Sequence, residues 1–220
     1  MKEHGLIVAT SGVQAIFDGR KTQTRRVMKP QPELIPADVP QDKEQPYWWS
    51  CRAVQSMVRL PDDMGCMPSF CPYGQVGDKL WVKETYVIEA DMDYGYSNQP
   101  IPHYKATEPE PNIVRGSQGD LDDTTKWSPS IFMPRWASRI TLEITGVRVE
   151  RLQEIPWQDC KKEGVVPEIG SIYCETWREA FEKLWDSLNA KRGYGWNTNP
   201  WVWVITFRRL TDGNGECIKL

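Results

Sequence analysis

The chain has 220 residues, a formal net charge of −3 and 40% hydrophobic residues, enough for one well-packed core. No apolar run reaches the roughly 20 residues of a membrane span and the first residues carry no signal-peptide pattern, so a soluble cytoplasmic protein is expected. Eleven Trp and 17 Pro stand against two His, His4 near the start and His103 in a proline-bearing segment, which argues against a histidine metal site or a Ser-His-Asp triad.

In chain order, Gly5–Thr10 reads as a short buried strand. Ser11-Gly12-Val13-Gln14 fits an S-x-x-Q capping box opening a short helix, with Val13, Ile16 and Phe17 on its apolar face and Gly19 at its C-terminal cap. Thr22–Met28, β-branched and basic, predicts a strand that stops at Pro30. The stretch from Pro30 to Tyr73 is proline-rich and without sustained period, and so reads as an excursion from the core. Cys51, Cys66 and Cys71 would offer three thiolates to zinc but contain no C-x2-C pair, so scattered reduced thiols and no metal are expected.

Gly77-Asp78 predicts a turn into a strand over Lys79–Tyr86. A second irregular stretch over 87–137 carries one short strand near His103–Ala106. Ile140, Leu142 and Ile144 alternate with Arg139, Thr141, Glu143 and Thr145, a strand with one buried face, and Val147–Leu152 after Gly146 reads as a second strand or as its extension. Pro156 is placed as the first residue of a short helix that Gly164 stops, with Glu163 at its end. Trp177, Phe181, Leu184, Trp185 and Leu188 form one stripe on a helix over Glu175–Asn189. Trp201–Arg208 is apolar on both faces and predicts a central strand, and 211–220 reads as a loose tail. Together these elements predict an α+β fold: one domain over 1–210, a compact barrel with insertions at about 30–75 and 86–137.

Charge is unevenly spread. Basic residues gather in 1–30 and 191–210, while acids pool in 84–124. Local basic surface is the footprint of phosphate contact, and equally of ordinary solvated surface balanced by acidic loops; both readings stay open.

Gly19-Arg20-Lys21-Thr22-Gln23-Thr24-Arg25-Arg26 is by itself a basic turn and strand with two Thr. This run resembles the opening signature of the ASCH domain, and Val76–Val82, Ile155–Gly164 and Trp201–Leu210 resemble later blocks of that family in order. Lys21–Pro30, Cys71–Thr85 and Trp127–Leu142 are similar to the larger phage and prophage members, with Phe132 standing where a His is expected. The resemblance implies a PUA-like mixed β-barrel with short flanking helices and two long loop insertions. It further implies kinship with small bacterial amidohydrolases that deacetylate N4-acetylcytidine. By motif, their Lys, Thr and Glu are Lys21, Thr24 and Glu163.

That chemistry is coherent. Thr24 would be the nucleophile and Lys21 the base, kept neutral by neighbouring arginines, while Glu163 would orient the pair or shuttle a proton. Positions three apart on a continuous strand point to opposite faces, so Lys21 and Thr24 converge only if Lys21 belongs to the turn after Gly19. A non-catalytic RNA- or DNA-binding module is the alternative, with Lys21, Arg25, Arg26, Arg135 and Arg139 on the backbone and Trp48, Trp49, Trp127 or Trp136 stacking on a base. Arg20, Trp81 and Glu84 join the expected substrate-contacting set; Trp177, Trp185 and Trp203 are assigned to the core, and Trp81 and Trp201 fit either role. A ribonuclease-like activity is the third reading. The expected partner is a modified cytosine nucleoside or base, or RNA or DNA, with no membrane and no cofactor.

Overall fold

A computed structural model describes residues 1–34, 48–51, 56–59, 71–89, 100–110, 126–167 and 174–211. Their strands and helices are, in chain order, β1 (Glu3–Ile7), α1 (Thr10–Phe17), β2 (Gln23–Val27), β3 (Glu33–Leu34), β4 (Trp48–Cys51), β5 (Ser56–Arg59), β6 (Lys79–Lys83), β7 (Tyr86–Glu89), β8 (Ile101–Tyr104), β9 (Thr141–Arg151), α2 (Trp157–Lys162), α3 (Cys174–Asn189) and β10 (Trp201–Arg209). The architecture is α+β. A mixed five-stranded sheet has the order β1-β6-β9-β10-β2, parallel at β1–β6 and antiparallel elsewhere. Within the first expected insertion, β3, β4 and β5 form a small sheet, and in the second β7 pairs with β8.

The alternation read from Ile140, Leu142 and Ile144 is realised: all three are buried with Leu80 and Val82 beneath α1 residues Val13 and Ile16. β10 is apolar on both faces because it is covered on both. Trp203, Ile205 and Phe207 join that core, while Val202 and Val204 face Phe181 and Trp185 of α3. Each such side chain contributes about 1.5–3 kcal/mol on burial. Leu188 ends the α3 stripe exposed. β9 runs on through Gly146, and its pairing with β10 shifts register where Thr206 opposes Gly146 and Phe207 opposes Ile144, leaving Thr145 as the extra residue.

Several expectations change. The strand expected over Gly5–Thr10 is Glu3–Ile7, with Thr10 already in α1, and the one expected over Lys79–Tyr86 ends at Lys83, Tyr86 opening β7 in another sheet. Ser11 does not cap α1: the N-cap is Ala9, two residues earlier, because the Val13 amide bonds to the Ala9 carbonyl, and the Gln14 side chain reaches the Ala106 carbonyl instead. Pro156 is the N-cap of α2 rather than its first residue, in extended conformation at ψ 153°. The barrel does not close by hydrogen bonding: β1 and β2 remain the two edges of the sheet. What joins them is one side chain, since the Arg26 Nη2 group donates to the Ile7 carbonyl. Where a closing ladder would run, there is a cleft. The tail beyond residue 211, Cys66, and the side chains of Trp48, Trp49 and Cys51 lie outside the described residues. No helix among the described residues is long and apolar enough to cross a membrane.

Candidate active site

After α1, Gly19 at φ +70° reverses the chain, and the Lys21 amide is tied back to the Ala15 carbonyl at 2.9 Å. Lys21 therefore precedes β2 and pairs as an isolated bridge with Glu163, the C-cap of α2. This placement removes the spacing conflict, for Lys21 is not in register with the strand that carries Thr24. The Lys21 ammonium donates to Glu163 Oε2 at 3.0 Å and to the Glu163 carbonyl at 2.8 Å, with both side chains buried. Gly164 follows at φ +82°; a Cβ there would lie 2.7 Å from Ala15 Cβ and 2.9 Å from Lys21 Cβ. Only glycine lets α1, α2 and Lys21 meet this closely.

Glu163 is held from its other side by Arg25, whose Nη1 donates to Oε1 at 3.1 Å. The same guanidinium, fully buried against the Phe181 ring, donates from Nε to Glu150 at 2.7 Å and from Nη2 to Asp159 at 3.1 Å. Gln23 and Lys162 also donate to Asp159, at 3.0 and 2.9 Å. Burial alone would raise the Asp159 pKa, but hydrogen bonds from Gln23, Lys162 and Arg25 hold it well below the usual carboxylate range. Burial disfavours the Arg25 charge, yet Glu163 and Glu150 outweigh it and raise its pKa. For Lys21 the balance falls the other way: burial, aided by Arg26 and Arg25, lowers its pKa despite the pull of Glu163.

Lys21, Arg25 and Glu163 open onto a cleft of about 920 Å³ bounded by β1, α1, β2, the end of α2 and α3, while Gln23, Glu150, Asp159 and Lys162 stand behind it. Lys21, Thr24 and Glu163 all line it. Thr24 is buried, and no hydrogen bond among the described residues ties down its hydroxyl. Arg20, at the rim, bonds to Asp18 and to the Gly164 carbonyl, and Arg26 shares the Thr24 side of β2.

Six of the expected contact residues do not line this cleft: Trp81, Glu84, Trp127, Arg135, Trp136 and Arg139. Arg139 forms a two-pronged pair with Glu84, both bonds 2.9 Å, and lies 3.9 Å from the Tyr104 ring centre. Arg135 binds Glu3 and sits over Trp81, which Lys83 flanks as well. Trp127 packs near Lys105, and Trp136 and Phe132 are exposed. The Arg25 guanidinium, expected on a phosphate, is instead consumed by three carboxylates.

Sequence reasoning missed Gln23, Glu150, Asp159, Lys29 and Arg192. For Asp159 a signal exists, four residues before Glu163 and hence on the same face of α2. For Glu150 none does, because its approach to Arg25 depends on packing between β2, β9 and α2. Among the described residues no group of three or more His, Cys, Asp or Glu side chains is placed to hold a metal. Cys71 and Cys160 are free and buried, and burial pushes both thiols up to about 11. In comparisons with known proteins, no family model, curated protein or solved structure matches the chain.

Proposed function

We propose that the cleft hydrolyses the exocyclic amide of N4-acylated cytosine, in keeping with the ASCH resemblance of Gly19–Arg26, and that the open sheet is a PUA-like barrel parted at its β1–β2 seam. The observation that carries this reading is that a buried, charge-disfavoured Lys21, paired with Glu163, and an unengaged Thr24 hydroxyl line one cleft. A structural ion pair needs no such hydroxyl beside it.

In this reading Thr24 Oγ1 attacks the acyl carbon while neutral Lys21 Nζ takes its proton. Collapse of the tetrahedral adduct breaks the C–N4 bond, and Lys21 returns the proton to the departing amine. Water, deprotonated by Lys21, then cleaves the acyl-threonine ester, releasing the carboxylic acid and restoring Thr24. Glu163, with one oxygen on Lys21 and the other on Arg25, aims the ammonium rather than meeting the substrate.

Incubation with N4-acetylcytidine, followed by loss of the amide absorbance, should show turnover that Thr24→Ala and Lys21→Ala each reduce by about 10²–10⁴-fold. Absence of turnover on every N4-acyl cytosine tried, or full activity in either variant, would sink the proposal. The cationic lining favours a second reading, nucleic-acid binding without catalysis. Its signature is salt-sensitive binding of RNA or DNA with no turnover.

A further inference from the structure

Arg26, like Arg151, Arg178 and Arg209, hydrogen-bonds to a backbone carbonyl rather than to a carboxylate among the described residues, but it lines the cleft and keeps a buried Nε without a partner. Arg25, Arg135, Arg139, Arg148 and Arg208 are each matched to a carboxylate. Arg26 has no ion pair among the described residues: its Nη2 donates to the Ile7 carbonyl, and its buried Nε has no partner. Burial lowers its pKa, and the nearby charge of Arg192 lowers it further. Arg192 also has no ion pair among the described residues, and Lys29 lies 5.2 Å from the Tyr194 ring centre. All three cations line the cleft, whose one acidic lining residue among those described, Glu163, is occupied by Lys21 and Arg25.

Arg26 is half-buried, and its buried Nε, left without a partner, is a costly donor awaiting an acceptor. The position of this donor is informative. Thr24 and Arg26 are two residues apart on β2, so their backbones lie roughly 6.6 Å apart on one face. The Arg26 guanidinium reaches off this strand and across the seam to the Ile7 carbonyl of β1. An anion on Arg26 and an acyl group at Thr24 are thus opposite ends of one ligand, within a cleft of about 920 Å³.

Resting on the hydrolase reading, we propose that the substrate is the 5′-nucleotide of N4-acylcytidine, with its phosphate received by Arg26, Arg192 and Lys29. Phosphate matches the fork of Arg26 and the paired cations better than a neutral ribose does.

The test compares kcat/KM for N4-acetylcytidine and its 5′-monophosphate. Preference for the nucleotide of at least about tenfold is expected, weakening with salt, and Arg26→Gln or Arg192→Gln should each cut the ratio about tenfold. Arg192 is exposed, so its variant keeps the test open should Arg26→Gln fail to fold. Equal use of both compounds overturns the phosphate subsite and leaves the hydrolase reading standing. If neither is turned over, calorimetry with cytidine and cytidine 5′-monophosphate decides. A preference for the monophosphate that Arg192→Gln abolishes upholds the subsite while the hydrolase reading falls; no preference overturns both. A short RNA carrying internal N4-acetylcytidine that is used better than the mononucleotide overturns the mononucleotide in favour of a strand.

Discussion

Lys21 is a base only when its ammonium has lost a proton, and the groups around it pull in opposing directions. Burial, Arg26 and Arg25 lower its pKa, and Glu163 raises it. The deacylation rate should therefore climb with pH along a limb centred below the ordinary 10.5 of lysine. Arg26→Gln should move that limb to higher pH and Glu163→Gln to lower pH, read from pH profiles of kcat; shifts of the same sign would count against Lys21 as the base. Linkage gives stability a matching sign. Between the lowered native value and 10.5 the unfolded chain binds more protons, so this residue's contribution to stability rises with pH across that window. Lys21, Thr24 and Glu163 were legible as residue types in motif order. Gln23 and Glu150 were not, because an amide and a carboxylate inside strands carry no signal until a buried Arg25 is known to sit between them.

The short segments between elements decide whether those residues meet. Gly164 is the tightest: its positive φ and its approach to Ala15 and Lys21 leave no room for a methyl group. Gly164→Ala should destabilise the fold by about 2 kcal/mol or more and misplace Lys21, lowering activity in the surviving folded fraction. Gly193 has a similar φ of +82° but nothing within 4 Å of an added Cβ, so Gly193→Ala should cost only about 1 kcal/mol in thermal or denaturant unfolding. Equal effects would show that crowding at Lys21 is unimportant. At this scale the strands of strong pattern were readable, β9 from its alternation and β10 from its two apolar faces. Ends were less so. Ser11 offered a plausible cap, but backbone bonding to Ala9 set the start of α1, and that competition is invisible in residue identities.

Across the whole molecule, one guanidinium ties β2, β9 and α2 together through Glu150, Asp159 and Glu163. Arg25→Ala should cost about 3–5 kcal/mol, since it removes the buried cation that three carboxylates share and leaves each with fewer partners. Asp159, with its native pKa held below the ordinary 3.8, adds stability that is present above that value and is lost as pH falls through the native one. Acid unfolding of wild type should therefore be steeper than that of Asp159→Asn, which begins less stable at neutral pH; parallel curves would remove Asp159 from the account. Pro72, Tyr73, Thr85 and Ser130, at the margins of the two stretches expected to be excursions, wall the cleft. The gap between β1 and β2 was not legible, because strand pattern records which face is buried and not which edges meet. The sheet order has a temporal consequence. β2 finds its ladder partner in β10, with Thr24 opposite Ile205. On the ribosome, β2 waits on the order of tens of seconds before that strand is synthesised. A nascent chain can thus hold Lys21, Thr24 and Glu163 while β2, one wall of the cleft, still lacks its ladder partner: that wall is fixed only when β10 emerges.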